Sequence, residues 1–158
     1  MEKEKVHYKE TQSMWWFVTL FGLLAVWVVL AGIFKWGTYP IPLSLAFGMA
    51  LLFILICLAF YQLKIVVTST KVKAYFGVGW LKKQFDIDQL DTTKARTEKL
   101  PWYYGIGYRI SPKGVFLNTK PGPALYIPTK DGRSAFFVGT ANAKKLISIL
   151  SALSASVK

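Results

Sequence analysis

Lysine is the residue type in this chain best placed to do chemistry. Lys64, Lys71, Lys73, Lys82 and Lys83 fall within a short stretch. Ammonium groups at that density suit an anionic partner such as phosphate. Lys71 and Lys73 are two apart, so they share a face if the segment is a strand. No arginine joins them, and arginine is the better bidentate phosphate ligand. The group therefore fits diffuse attraction to an anionic surface better than a specific headgroup pocket. A second candidate is Trp102-Tyr103-Tyr104, set between Pro101 and Gly105. Adjacent aromatics there suit a loop touching membrane or partner, or a corner closing a small barrel. Other arrangements carry less. Asp86, Asp88 and Asp91 lack the further oxygens and the glycine turn of a calcium loop. Gly77-Val78-Gly79 and Gly105-Ile106-Gly107 lack the third glycine and the strand-to-helix setting of a phosphate loop. His7, the sole histidine, lies in a polar N-terminal segment expected to be mobile. Cys57, the sole cysteine, lies inside an apolar run and offers neither a disulfide nor a thiol metal site. No catalytic, metal or cofactor-binding residue is expected.

Two uncharged apolar runs, residues 14–34 and 41–63, precede these lysines. Each exceeds the length of about 20 residues that a helix needs to cross a bilayer. Backbone groups in hydrocarbon must be satisfied internally, so both are expected to be helices. A cleaved signal peptide fits poorly: the first run is too long, its flank mixes acids with bases, and no small-residue cleavage site follows. Residues 1–13 hold three lysines, the connecting residues 35–40 hold Lys35 alone, and Lys64, Lys71 and Lys73 follow the second run. By the positive-inside rule both termini are cytoplasmic and the loop is external. Trp15, Trp16, Trp36, Tyr39 and Tyr61 mark the expected interfaces. Pro40 and Pro42 suit the start of the second helix. Ala46 and Ala50 give a small-residue face for close helix packing. No ionisable residue interrupts either run, which argues against a transporter.

The chain carries 20 Lys and Arg against 8 Asp and Glu, a formal net charge of +12. Most of the excess lies beyond residue 63, where sixteen basic residues face five acidic ones. Beside a bilayer this favours the anionic cytoplasmic leaflet as a partner. Nucleic acid is disfavoured, because the basic residues are scattered over strands and turns.

Residues 64–158 read as a cytoplasmic domain of short alternating strands. Strands are expected at 64–69, 71–76, 80–85, 108–110, 115–118, 124–129 and 134–139, with another between 89 and 97. Ser111-Pro112-Lys113-Gly114 has the form of a type I turn. Asp131-Gly132 predicts a primed two-residue hairpin turn. Thr140 is placed to cap a helix over 141–154, whose apolar face is Leu146, Ile149, Leu150 and Leu153.

Short strands followed by one amphipathic helix form the pleckstrin-homology pattern. The chain resembles bacterial membrane proteins that join two transmembrane helices to a PH-like cytoplasmic domain. The resemblance rests on Leu63-Lys64-Ile65-Val66-Val67-Thr68, Tyr104-Gly105-Ile106-Gly107-Tyr108-Arg109, Pro112-Lys113-Gly114 and Val138-Gly139-Thr140. It implies an α+β membrane protein: a helical hairpin plus a bent antiparallel sheet or barrel, capped by a C-terminal amphipathic helix. It also implies a noncatalytic module of the plasma membrane. Such a module would bind lipid or a membrane-associated protein, alone or as a homo- or hetero-oligomer. The alternative is a structural accessory subunit whose helices mediate assembly; an enzyme is disfavoured, since no convergent polar site is visible.

Overall fold

A computed structural model describes residues 5–100, 106–111 and 114–156. Helices α1 (Trp15–Ile33) and α2 (Leu43–Phe60) contain 19 and 18 residues and no charged side chain. Both are long and apolar enough to cross a membrane. Their packing is inverted relative to a helix pair in water. The buried residues are small: Ala25, Val28, Ala31 and Gly32 of α1 against Ala46 and Ala50 of α2. Leu23, Trp27, Leu51 and Leu52 point outward and are exposed. The expected Ala46–Ala50 face is thus the one α2 buries. A Cβ on Gly32 would lie 2.8 Å from the Ala46 Cβ, so the backbones meet closely at that end. Pro42 occupies the N-cap of α2, where its fixed φ and missing N–H cost nothing.

The first departure from expectation is at the N-terminus. Val6–Ser13 is strand β1, not a mobile tail, and pairs antiparallel with β2 (Gln62–Thr68) from Ser13↔Gln62 to Val6↔Thr68. The ladder runs up to the helices, since the Met14 N–H donates to the Tyr61 carbonyl at 2.9 Å. The two helices therefore grow from adjacent strand ends, as an insertion at the turn of one β-hairpin. α2 stops at Phe60, short of the end of the apolar run, because Gln62 and Leu63 already belong to β2. Strands β3 (Lys71–Phe76) and β4 (Leu81–Asp86) complete a sheet of order β1-β2-β3-β4. Leu63, Ile65, Val67, Val72, Ala74 and Phe76 alternate into the core, as a strand with one wet face requires.

No strand fills residues 89–95. Single turns of 3₁₀ helix, Ile87–Gln89 and Thr92–Lys94, lead instead to β5 (Arg96–Leu100). Strands β6 (Gly107–Ser111), β7 (Gly114–Asn118), β8 (Gly122–Pro128) and β9 (Ala135–Gly139) follow. They form a second sheet of order β5-β8-β9-β7-β6, and β7 pairs parallel to β9. The expected wholly antiparallel arrangement fails there, because the chain leaves β7, returns as β8 and lays β9 between them. Among the described residues the strands form two open sheets and no closed barrel.

The Asp131-Gly132 turn is longer than a primed pair. Gly132 has φ +69° but Asp131 does not have positive φ. The Gly132 N–H donates to the Thr129 carbonyl at 2.9 Å, and Thr129 N–H reaches the Ser134 carbonyl. This is a four-residue loop built on a type I turn and closed by a left-handed glycine. Residues 112 and 113 of the other expected turn lie outside the described residues; its ends, Ser111 and Gly114, are paired.

Helix α3 (Ala143–Ser156) starts two residues later than expected. Its first bond runs from the Leu146 N–H to the Asn142 carbonyl, while Thr140 Oγ1 accepts the Asn142 N–H at 3.0 Å. Leu146 and Leu150 are fully buried, with Ile149 and Leu153 partly so. One core joins them to Leu63, Val72 and Phe76 of the first sheet and Leu125, Phe136 and Val138 of the second. The fold is mixed α+β.

Candidate membrane-facing surface

Strand register sorts the lysines by face and by distance from the helices. The rung nearest them is Ser13–Gln62, extended to β3 where the Gly77 N–H donates to the Gln62 carbonyl at 2.8 Å. Two residues out, the solvent face carries Thr11, Lys64, Tyr75 and Lys82 side by side. Two more residues out it carries Lys9, Val66, Lys73 and Gln84. At about 3.4 Å per residue, these rows stand about 7 Å apart. Lys71 is farther still, opposite Asp86, with 3.6 Å between Nζ and Oδ1.

Lys83 is not part of this face. It pairs with the buried Ala74, and its ammonium lies 5.0 Å from the centroid of the Phe85 ring. The structure thus groups Lys64, Lys73 and Lys82, pairs Lys71 with Asp86 and sends Lys83 to the other side. It also adds Lys9, which sequence reading left out because residues 6–13 lack apolar alternation.

That alternation is missing because β1 turns polar groups toward the second sheet. Tyr8, Glu10 and Gln12 lie on the face opposite Lys9 and Thr11. Glu10 accepts from the Tyr8 hydroxyl at 2.5 Å, the Thr140 hydroxyl at 2.7 Å and Gln12 Nε2 at 2.9 Å. Gln12 Nε2 also donates to the Gly139 carbonyl at 2.8 Å, and Gln12 Oε1 accepts from Thr119. Burial, then the Glu10 carboxylate, pushes the Tyr8 phenol up to about 12. The network ties β1, and hence the root of α1, to β9 and to the approach to α3.

Trp102, Tyr103 and Tyr104 lie outside the described residues. The next residue described, Ile106, is exposed and lines a cleft of about 210 Å³ with Trp16, Phe17, Phe60 and Tyr108. His7 Nε2 lies 3.1 Å from Ser69 Oγ. Asp91 pairs with Lys94 at 3.0 Å and is held below the usual carboxylate range, first by the Thr93 hydroxyl and then by Lys94. Among the described residues no three His, Cys, Asp or Glu side chains come together as a metal site.

These features define a mixed α+β protein with two helices long and apolar enough to cross a membrane. Comparison with protein-family models, curated proteins and solved structures found no match to this chain.

Proposed function

We propose that this is a membrane-anchored, noncatalytic binding module that organises a membrane-associated protein assembly. The observation that carries the reading is the double junction at Met14 and Tyr61. Both apolar helices leave one end of the sheet side by side, bonded at 2.9 Å. With the helices inserted, that end faces the bilayer and the lysine rows step away from it in order. Lys64 and Lys82 stand nearest the lipid headgroups, within reach of unscreened attraction over about 8 Å at physiological ionic strength. Lys9 and Lys73 come next, and Lys71 is remote and paired with Asp86. The lysines hold the domain against an anionic leaflet, and its remaining surface is left for a protein partner.

The order of elements supports a PH-like fold in this reading: a four-stranded sheet, a second sheet and a terminal helix in one core. The parallel β7–β9 pair and the contribution of β1 lie outside that pattern. The lysine distribution supports a cytoplasmic side for the domain and both termini, by the positive-inside rule.

The test is lysine acetylation of the full chain in lipid nanodiscs, read residue by residue by mass spectrometry. Anionic nanodiscs should protect Lys64 and Lys82 most, Lys73 and Lys9 less, and Lys71 least relative to neutral ones. Added salt should erase the protection. Equal protection in neutral and anionic nanodiscs sinks the electrostatic part of the proposal.

A further inference from the structure

We infer that the turn between β3 and β4 is a third membrane contact, seating Val78 and Trp80 in the headgroup layer beside the end of α2. The inference rests on the two-helix membrane reading above. Its first support is position. Gly77 sits on the rung nearest the helices, and its backbone is pressed against the last turn of α2. A Cβ there would lie 2.1 Å from the Leu58 carbonyl oxygen and 2.5 Å from that of Ala59. Wherever the end of α2 lies, this turn lies with it.

The second support is what the turn presents. Gly77 has φ +49° and the Gly79 N–H donates to the Phe76 carbonyl at 2.8 Å, so the chain reverses tightly with glycine at the first central position. Such a reversal in water is usually built from polar residues. Here it exposes Val78 by 54% and Trp80 by 63%. Trp15 and Trp16 are exposed at the root of α1, and Tyr61 adjoins the root of α2. Indole and phenol rings favour headgroup depth, where ring and polar tip are both satisfied. Lys82 follows two residues after Trp80 and joins the lysine row nearest the bilayer, so apolar ring and ammonium would meet the lipid in sequence. The occupant argued here is the bilayer rather than a protein, because α2 itself fixes the turn at membrane level.

The test uses the full chain with Cys57→Ser, reconstituted in mixed neutral and anionic vesicles and carrying one environment-sensitive fluorophore. Labels go on Val78→Cys, Trp80→Cys, Leu23→Cys within α1, and Thr70→Cys in the turn at the far end of the sheet. Headgroup nitroxide lipid should quench the Val78 and Trp80 labels, and aqueous iodide should not. Iodide should quench the Thr70 label, and deep nitroxide lipid the Leu23 label. Trp80→Ser should raise iodide quenching of the Val78 label several-fold while the Leu23 label is unchanged. Iodide quenching at Val78 and Trp80 equal to that at Thr70 overturns the inference. So does shielding from both iodide and lipid, which would mean a protein neighbour such as a second copy. If the Leu23 label escapes lipid quenching, the membrane reading itself fails and takes this inference with it. Quenched Leu23 with exposed Val78 defeats this inference alone.

Discussion

Gly77 is confined twice, by a left-handed backbone and by the carbonyls of α2. Gly132 shares the positive φ but has nothing within 4 Å of an added Cβ. Gly132→Ala should therefore cost only the left-handed strain, about 1–2 kcal/mol. Gly77→Ala should cost more, because the β3–β4 turn must also move off α2. Thermal unfolding of the two variants in the same detergent separates the effects; equal losses would mean the α2 contact is not held. Tyr8 gives a pH signature at the same scale. Its folded pKa of about 12 exceeds the ordinary phenol value of 10.0. The protonated phenol therefore contributes stability that is complete below pH 10 and fades as pH rises toward 12. The readout is the difference in stability from Tyr8→Phe, which isolates the phenol. The substituted chain should lose less stability between pH 10 and 12; identical slopes would remove Tyr8 from the account.

At the level of elements, β1 decides where the domain can be cut. A chain beginning at residue 62 lacks β1 and leaves β2 as an unpaired edge between water and core, a known route to aggregation. Joining Ser13 to Gln62 through an Asn-Gly turn should replace the helical hairpin, because those residues already face each other across the ladder. The joined chain should be monomeric and melt cooperatively, whereas residues 62–158 alone should aggregate or melt lower. Light scattering and circular dichroism distinguish them, and equal behaviour would show that β1 is dispensable. Helix α3 offers a parallel test. Leu150 is fully buried against the sheets, so Leu150→Asp places an unpaired carboxylate in the core and should lower stability by several kcal/mol or more. Unchanged melting would mean that α3 is not docked.

At the level of the whole molecule, the proposed membrane orientation rests on the distribution of charge and is open to direct test. Single cysteines at Thr38 and Ser134, in a Cys57→Ser background, should behave oppositely toward an impermeant thiol reagent in intact cells. Thr38→Cys should react and Ser134→Cys should not; the reverse pattern puts the domain outside.

Local pattern alone was enough for the parts that depend on local physics. Uninterrupted apolar runs dictate α1 and α2, because a helix satisfies its own backbone. Alternation dictates β2 and β3, and the spacing of Leu146, Ile149, Leu150 and Leu153 dictates the docked face of α3. Segments whose inward face is polar were not legible. β1 reads as a polar tail because Tyr8, Glu10 and Gln12 become partly buried only once Thr119, Gly139 and Thr140 arrive from more than a hundred residues away. The loop at Asp131 was legible as a turn but not by length, since the Thr129 and Ser134 bonds that close it depend on strand register. The lysine group was visible as composition, yet its division was not. Which ammonium shares a row with which is set by pairing β1 through β4, and that pairing sends Lys83 over Phe85 and brings Lys9 beside Val66. The contact of Gly77 with the end of α2 is likewise a tertiary fact. Sequence marks a glycine turn there, but only the packed sheet puts a helix carbonyl where its Cβ would be.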